Sequence, residues 1–446
     1  MRPTTTNMSI SILVTTTETD PVHFTVSNSA GTLSTGTAHN NAVTELVLSN
    51  NSFVSSNMER NKGFWVQTND AGKTVIVYGM SYATRSADGF LALPCTNSYY
   101  VENYTYYAVS TQWGNRVPET LSSEVLLVGC EDNTELTITP TQAIEIPSDL
   151  VIEGNSATTV TAGESYTITM NRMQTFQFEN LLDLTGSKVT SSKPIAFFSG
   201  HECADVPVGV GHCDHLVEQL PSTRTWGRLF FIASLKSRIS GEWYKVIGSR
   251  NATSVVVHCF SNRVSTMTSI VIVLDVSGSS QEFNIGQNRF CSVQANKPVL
   301  LVQFAAGRSL DVADYGDPFM MMIPPVKQYK NNYTFVSQSR FANFLTITVP
   351  VKFYNPSTIF LNGTALLSTS WMPLYCSSVD ICGYATQTSI GVGRSHVRHE
   401  NPDAVLGVVV YGFELGGSYG YPAGMELNSI AGLYQCAFQM QFCNDP

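Results

Sequence analysis

The sequence is poor in charge: only 13% of its 446 residues are Asp, Glu, Lys or Arg, against about 25% in an average soluble protein. The apolar fraction is an ordinary 43% and the aromatic fraction 11%, which excludes a disordered chain. With 25 Lys and Arg and a net charge of −9, the chain lacks the cations of a nucleic-acid surface. The place of the missing charged residues is taken by Ser, Thr, Asn, Tyr and Gly. This composition is typical of a β-rich chain with many turns.

Long apolar segments are also missing. No run reaches the roughly 18 apolar residues of a transmembrane helix, so we predict no membrane span. Residues 1–14 read MRPTTTNMSISILV, and their interrupted apolar residues make a poor signal peptide. We therefore expect a fragment of a longer secreted chain, with a disordered N-terminal segment at residues 1–20.

The motifs of several enzyme classes are absent. The sequence contains no H-E-x-x-H or Walker A motif, and no G-x-G-x-x-G after a strand, so it indicates no catalytic residue and no cofactor. C-x-x-C is missing too, which removes the usual zinc-ribbon and thioredoxin spacings.

Helical periodicity is scarce, and one strand-like segment recurs four times. Its first three copies, KTVIVYG, KPIAFFSG and KPVLLVQ, begin at positions 73, 193 and 297, and VLGVVVYG begins at 405. An apolar run that ends in Pro follows each of the first three, at Pro94, Pro221 and Pro324. Such recurrence predicts a repeat architecture.

The repeat favours an all-β fold. About three repeats of roughly 105–120 residues, each holding two four-stranded blades, would build a β-propeller-like ring whose last repeat is shared between the two termini. The alternative is a tandem row of antiparallel β-sandwiches, which the same strands could form.

Ten cysteines are present, an even number that favours disulfides in an oxidising compartment over buried free thiols. Short loops suggest a local pairing, in the order Cys203–Cys213, Cys376–Cys382, Cys436–Cys443, Cys95–Cys130 and Cys259–Cys291.

The densest segment, residues 200–221, holds three His, two Cys and four acids, Glu202, Asp205, Asp214 and Glu218. One interpretation is a metal site that uses His201, His212, Cys213 and His215. Adjacent residues of an extended chain point to opposite faces, so we instead predict a surface loop closed by a Cys203–Cys213 disulfide, and no metal.

The sequence also contains Asn-x-Ser/Thr acceptor sites, which permit N-glycosylation of a secreted chain. Besides Asn7, the candidates are Asn50, Asn103, Asn251, Asn332 and Asn362.

Several of these segments resemble the N-terminal domain of the IgG Fc-binding protein family. They are KPIAFFSG at 193, CADVP at 203, CDHLVEQLP at 213, a Trp-Gly pair at 226, DLTG at 183 and WYKVIG at 243, followed by Asn-Ala-Thr at 251. The third repeat departs from the pattern: DPFMMMIPP at 317 keeps the Pro but lacks the Cys-Asp pair. The resemblance implies one domain over residues 21–430 and a Cys-containing tail over residues 431–446.

The resemblance also implies a secreted, mucin-associated glycoprotein with adhesive and barrier roles and no catalytic residues. Our first hypothesis is therefore an extracellular binding or scaffold module whose partners are proteins or mucin-like glycans. Binding to immunoglobulin Fc stays open. The alternative is a secreted glycan-processing hydrolase on a propeller, with the acids of residues 200–221 converging in a pocket.

Overall fold

The computed structural model describes residues 9–48, 54, 60–95, 103–112, 121–147, 150, 159–261, 266–311 and 315–427. Within these ranges the chain forms strands and no α-helix. The named helical turns are of the 3-10 type, at Thr223–Thr225, Arg308–Leu310, Val326–Gln328, Val351–Phe353 and Pro356–Thr358. The strands fall into four groups that follow one another along the chain, which we call modules 1 to 4.

Module 1 is a sandwich of two sheets, with strand orders β4-β1-β6-β7 and β3-β2-β5. Val22, Phe24 and Val26 alternate with exposed or half-buried residues on β2 and line the core between the sheets, as the period of two in a strand requires. The strands are β1 Ser9–Thr15, β2 Val22–Asn28, β3 Gly31–Ala38, β4 Thr44–Leu48, β5 Trp65–Thr68, β6 Ile76–Ala83 and β7 Ser86–Leu91.

Module 2 has two four-stranded sheets, β13-β10-β15-β8 and β14-β9-β16-β17, and a small β11-β12 pair. Tyr106 of one sheet stacks on Phe197 of the other, with ring centroids 5.3 Å apart. The strands are β8 Tyr104–Tyr107, β9 Ser123–Gly129, β10 Thr134–Thr139, β11 Ile144–Glu145, β12 Thr159–Val160, β13 Tyr166–Met170, β14 Thr175–Asn180, β15 Lys188–Ser191, β16 Ile195–Ala204 and β17 Asp214–Gln219.

Module 3 is one seven-stranded sheet. Its long strand β23 pairs with β20 and β18 along its first part and with β19 and β24 along its second part. The strands are β18 Gly227–Ala233, β19 Trp243–Gly248, β20 Thr253–Ser261, β21 Thr266–Leu274, β22 Ser280–Asn284, β23 Arg289–Phe304 and β24 Met320–Met322.

Module 4 combines the sheets β25-β31-β27-β28 and β29-β30-β26-β32-β33. Buried residues of both sheets, among them Phe335, Val397 and Ile347, belong to the same apolar cluster. The strands are β25 Asn332–Ser337, β26 Ala342–Pro350, β27 Ile359–Leu361, β28 Thr364–Ala365, β29 Met372–Tyr375, β30 Ile381–Ile390, β31 Gly393–His399, β32 Gly407–Glu414 and β33 Gly417–Pro422.

The recurring sequence segment occupies the same place in each module. Its four copies fall in β6, β16, the second part of β23 and β32, and each pairs antiparallel with the strand that follows it, namely β7, β17, β24 and β33. Each copy therefore lies in the last but one strand of its module and not in the first. No repeat is shared between the termini, because every described strand pairs only with strands of its own module.

The paired sheets make the chain all-β and are consistent with the sandwich alternative, whereas closure of a propeller is not shown. The four following strands nevertheless meet: β7 contacts β17 and β33, and β24 contacts the same two strands. Gly420 of β33 permits one of these approaches, since a Cβ at this position would lie 2.2 Å from a ring carbon of Phe319. We call β7, β17, β24 and β33 the central strands.

The expectation that residues 1–20 are disordered is wrong for the described part of that segment. Ser9–Thr15 forms strand β1, which pairs with β4 and β6, and its last five residues are buried. The polar residues that interrupt this segment alternate with its apolar residues along the strand. Ser11 is buried and donates a hydrogen bond to the Glu45 carboxylate over 2.6 Å. Residues 431–446, predicted as a tail, lie outside the described residues.

Four disulfides join the same cysteine pairs that the loop lengths predict. They are Cys95–Cys130, Cys203–Cys213, Cys259–Cys291 and Cys376–Cys382. Each bridge closes a loop within one module or, for Cys95–Cys130, joins the segment after β7 to the end of β9. The remaining pair, Cys436 and Cys443, lies outside the described residues.

Candidate functional site

The segment at residues 200–221, which the sequence singles out, folds mostly inside the protein. It contributes the end of β16, an exposed turn that the Cys203–Cys213 disulfide closes, and all of β17. Every residue of β17 is buried, because this strand lies between β16 of its own module and the central strands β7 and β24. The predicted surface loop is therefore limited to the turn itself.

The acids of this segment bind the backbone of neighbouring modules. The Asp214 carboxylate accepts hydrogen bonds from the Ser86 hydroxyl and, over 3.3 Å, from the Ala87 N–H of module 1. Glu218 Oε2 accepts one from the Met322 N–H of module 3 at 2.9 Å. Two acids on one central strand thus connect module 2 to modules 1 and 3.

Asp88 of module 1 makes the reciprocal contacts. Its Oδ2 accepts hydrogen bonds from Val217 N–H of module 2 at 2.9 Å and from Met320 N–H of module 3 at 3.3 Å. The Asp88 side chain is fully buried, and unpaired backbone N–H groups at such a junction would be costly. Carboxylates on β7 and β17 therefore provide the polar bonds that join three modules.

Burial raises the pKa of these three acids. Desolvation raises the pKa of Asp88, Asp214 and Glu218 well above the usual range, because water no longer stabilises the charged form. Neighbouring acids add to the shift: Glu218 acts on Asp88, and Asp317 acts on Asp214. The hydrogen bonds from backbone N–H groups lower the pKa of these acids, but by less than burial raises it.

Asp214 and Glu218 do not form an acid/base pair of the glycosidase type. They lie four residues apart on one face of an extended strand, so their side chains begin about 13 Å apart, whereas the carboxyl groups of such pairs are about 5–9.5 Å apart. Glu202 is engaged elsewhere, since its Oε2 accepts a hydrogen bond from Ser122 N–H at 2.8 Å. The described structure also has a small cavity, between modules 3 and 4, lined by residues such as Gln303 and Thr348 and remote in sequence from these acids.

The two buried histidines of the segment are neutral. His201 Nδ1 accepts a hydrogen bond from Cys203 N–H at 3.1 Å, which assigns the proton to Nε2. Desolvation lowers the pKa of His201 to about 4 and that of His215 to about 3. Both cysteines are bonded to each other and cannot serve as thiolate ligands. Within the described ranges, no group of three or more His, Cys, Asp or Glu side chains could hold a metal ion.

The remaining polar residues of the segment lie at its turn. Asp205 is 1% exposed, and its carboxylate oxygens accept no hydrogen bond from the described chain. His212 is exposed, with a φ of 61°, and its Nδ1 lies 2.8 Å from Nη2 of Arg308 in module 3. The turn therefore contacts module 3, and nothing in the structure explains the isolated Asp205 carboxylate.

A second junction joins the DLTG and WYKVIG segments. Lys245 is 3% exposed, and its Nζ lies 2.9 Å from Asp183 Oδ2, 2.6 Å from the Ser110 carbonyl oxygen and 3.0 Å from Glu282 Oε1. Burial alone would raise the pKa of Asp183. The Lys245 charge and hydrogen bonds from Thr185 outweigh burial and lower it. This buried ion pair connects modules 2 and 3.

Module 3 holds another buried charge cluster. Arg238 forms an ion pair with Asp311 and donates hydrogen bonds to the carbonyl oxygens of Tyr315 and Ala306. Glu242 beside it is fully buried, and desolvation raises its pKa to about 8.

Sequence reasoning missed most of these partners. Asp88 lies in none of the motifs that the sequence shows, and the partners that Lys245, Asp183 and Asp88 bind in other modules are distant in the chain. A signal existed for Asp183 and Lys245, since both fall in segments that resemble one family, but the segments do not indicate that the two residues pair.

The described glycosylation candidates lie on the surface. Asn103, Asn251, Asn332 and Asn362 are all exposed, whereas Asn7 and Asn50 fall outside the described residues. Exposure makes the four side chains accessible to a glycosylating enzyme.

Comparison with known proteins gives two matches. Residues 88–412, well over half of the chain, match the family described as IgGFc binding protein. The human IgGFc-binding protein is 27% identical over 241 residues, which is 50% of this chain and 4% of the human protein. The match thus spans a small part of that relative. The family match begins at Asp88 and includes β17 and the Lys245 junction, and on this evidence the chain belongs to the IgGFc binding protein family.

Proposed function

We propose that the chain is an extracellular, non-catalytic binding and scaffold module of a mucus-associated or cell-surface adhesive glycoprotein. Membership of the IgGFc binding protein family carries this proposal. Four disulfides support an oxidising compartment, because such bonds persist mainly in secreted proteins. The exposed acceptor sites are compatible with a glycoprotein.

The proposal includes a closed arrangement of the four modules. The mutual contacts of the central strands support it, together with tyrosines that connect the first and last modules. Tyr78 of module 1 donates a hydrogen bond to the Ala423 carbonyl oxygen at 2.8 Å and packs on Tyr421 with ring centroids 4.6 Å apart. A rigid body of this kind would present fixed outer sheet faces to partners.

The proposed partners are extracellular proteins or mucin-like glycans. The human relative's name makes immunoglobulin Fc a candidate for this chain too. No described helix is long and apolar enough to cross a membrane. The hydrolase alternative has no specific support, since Asp214 and Glu218 are used at module junctions and Glu202 binds Ser122 of its own module.

Biosensor binding tests the proposal. The secreted domain, purified without reductant, is immobilised and exposed to IgG Fc, to Fab as a matched control, and to soluble mucin. We expect saturable binding of Fc or mucin and no binding of Fab. Absence of binding to both, or free thiols at the eight bridged cysteines of the secreted protein, would contradict the proposal.

A further inference from the structure

Two arginines and a histidine form a row on β31 of module 4, which we call the β31 row. Arg394, His396 and Arg398 are half-buried and alternate with buried residues of the core. Alternate residues of a strand point to the same face, so the three side chains share the outer face of the sheet β25-β31-β27-β28. At about 3.3 Å per residue, the row is roughly 13 Å long.

The β31 row has no counter-charge. In the described part of the chain, none of its three members forms an ion pair with a carboxylate. Arg394 Nε is buried and has no hydrogen-bond partner. The Arg398 guanidinium lies 4.5 Å from the centroid of the Phe360 ring, and His396 Nε2 lies 2.6 Å from Asn332 Oδ1. Neither contact brings a carboxylate to the row.

Electrostatic strain within the row follows from this geometry. Burial lowers the pKa of His396, and the charges of Arg394 and Arg398 lower it further. Burial alone lowers the pKa of Arg394, because no carboxylate stabilises its charge. Cations are scarce in this chain, at 25 of 446 residues with a net charge of −9. Two of them, Arg394 and Arg398, lie on one face with no carboxylate partner among the described residues and form a local positive surface on an acidic protein, whereas buried charges normally have a partner.

The side chains beside the row extend this surface. In the strand register, Asn332 of β25 and Phe360 of β27 lie directly opposite Arg398, one on each side. Directly opposite residues in a sheet share a face, so an amide, a guanidinium and an aromatic ring stand side by side. Guanidinium groups bind oxyanions through paired N–H donors, and the face of an aromatic ring can pack against a sugar ring.

We propose that the β31 row binds the sulfate or carboxylate groups of an acidic extracellular polysaccharide. Two guanidinium groups about 13 Å apart on one face suit a chain with repeated charges better than a single ion. The mixture of guanidinium, amide and ring favours a charged sugar over a nucleic acid. This inference rests on the proposed extracellular binding function and adds the ligand class and the face.

The test measures binding of dextran sulfate, with neutral dextran of equal length as the control ligand. The protein is first treated with an endoglycosidase, since a glycan on Asn332 would cover the row. We expect Arg394→Gln/Arg398→Gln to weaken dextran sulfate binding at least about tenfold, and binding to the wild type to weaken with added salt. Lys236→Gln/Lys327→Gln removes the same charge from exposed positions of module 3 and should change binding less than about twofold.

Three outcomes would overturn the inference. They are equal binding by the wild type and the β31 variant, no binding by the wild type at low salt, and equally tight binding of an oligonucleotide with the same charge. Arg398→Gln alone, whose side chain is more open, serves as the second variant if the double variant melts early. A wild type that captures Fc or mucin but not dextran sulfate refutes only this inference, whereas capture of none refutes the proposed function as well.

Discussion

Replacing Lys245 with Met should destabilise the junction of modules 2 and 3. Met keeps the length and apolar volume of the side chain but leaves the Asp183 carboxylate, whose side chain is 29% exposed, without its cation. Breaking a fully buried ion pair by removing one partner costs about 3–5 kcal/mol, and the solvent that reaches Asp183 reduces this to about 2–3 kcal/mol. With an unfolding entropy of about 2.1 cal/mol/K per residue, a chain of this size loses about 1 °C per kcal/mol if it unfolds as one unit. The expected loss in melting temperature is therefore about 2–3 °C.

A double-mutant cycle tests the physical reason. Asp183→Asn keeps an oxygen that can accept the hydrogen bonds of Thr185. The double variant Lys245→Met/Asp183→Asn therefore removes the unpaired negative charge and keeps the hydrogen bonds of the turn at Thr185. We expect the double variant to recover at least about half of the loss of Lys245→Met, since coupling energies of contacting pairs reach about 3 kcal/mol. Urea unfolding and calorimetry measure each corner of the cycle.

The matched control is Lys236→Met, at an exposed position of the same module. It should change the unfolding free energy by no more than about 0.5 kcal/mol. A loss below about 1 kcal/mol for Lys245→Met, or a double variant no more stable than that single variant, would refute the role of the ion pair.

Three further predictions concern stability. Cys203→Ser should lower the unfolding free energy by about 2–4 kcal/mol; an unchanged melting temperature would contradict this. The pKa of Glu242 is raised from 4.5 to about 8 on folding. Its contribution to the unfolding free energy is therefore complete below pH 4.5 and is lost at up to about 1.4 kcal/mol per pH unit as the pH rises toward 8. In chemical denaturation, the unfolding free energy of Glu242→Gln should fall less steeply with pH than that of the wild type, and an equal pH dependence of the two proteins would show that Glu242 is not the cause. The pKa of His201 is lowered from 6.5 to about 4, so its contribution to the unfolding free energy is present above pH 6.5 and is lost as the pH falls toward 4. His201→Gln should therefore reduce the loss of stability between pH 6.5 and pH 4, measured by chemical denaturation. An unchanged pH dependence would contradict a neutral His201 in the folded protein.

Local features of the fold were predictable because they depend on residues close in the chain. Cys376 and Cys382 are separated by 6 residues and Cys203 and Cys213 by 10, so loop length alone favoured their pairing. The recurring strand was visible because each copy must bury both faces and therefore reads as a continuous apolar run. The number of sheets and the order of their strands were not predictable, since the same strands satisfy a propeller or a sandwich.

The sequence identified the polar residues of the candidate site but did not predict what they do. It singled out the acids of residues 200–221, but the predicted surface loop is confirmed only for the turn. Asp214 accepts its hydrogen bond from Ala87, 127 residues earlier, and Glu218 from Met322, 104 residues later. Strand alternation predicts that two such residues share a face and does not indicate whether that face meets solvent or another module.

The sequence by itself determined that this protein is all-β, built from a fourfold recurring strand and closed locally by disulfides, because strand periodicity and loop length are local properties. Tertiary structure decided which polar residues are buried. Asp88, Asp214 and Glu218 connect modules and have raised pKa values because the central strands of three modules exclude water around them. Lys245 forms its ion pair because Asp183 approaches it from a different module, and among the described residues no carboxylate pairs with the β31 row.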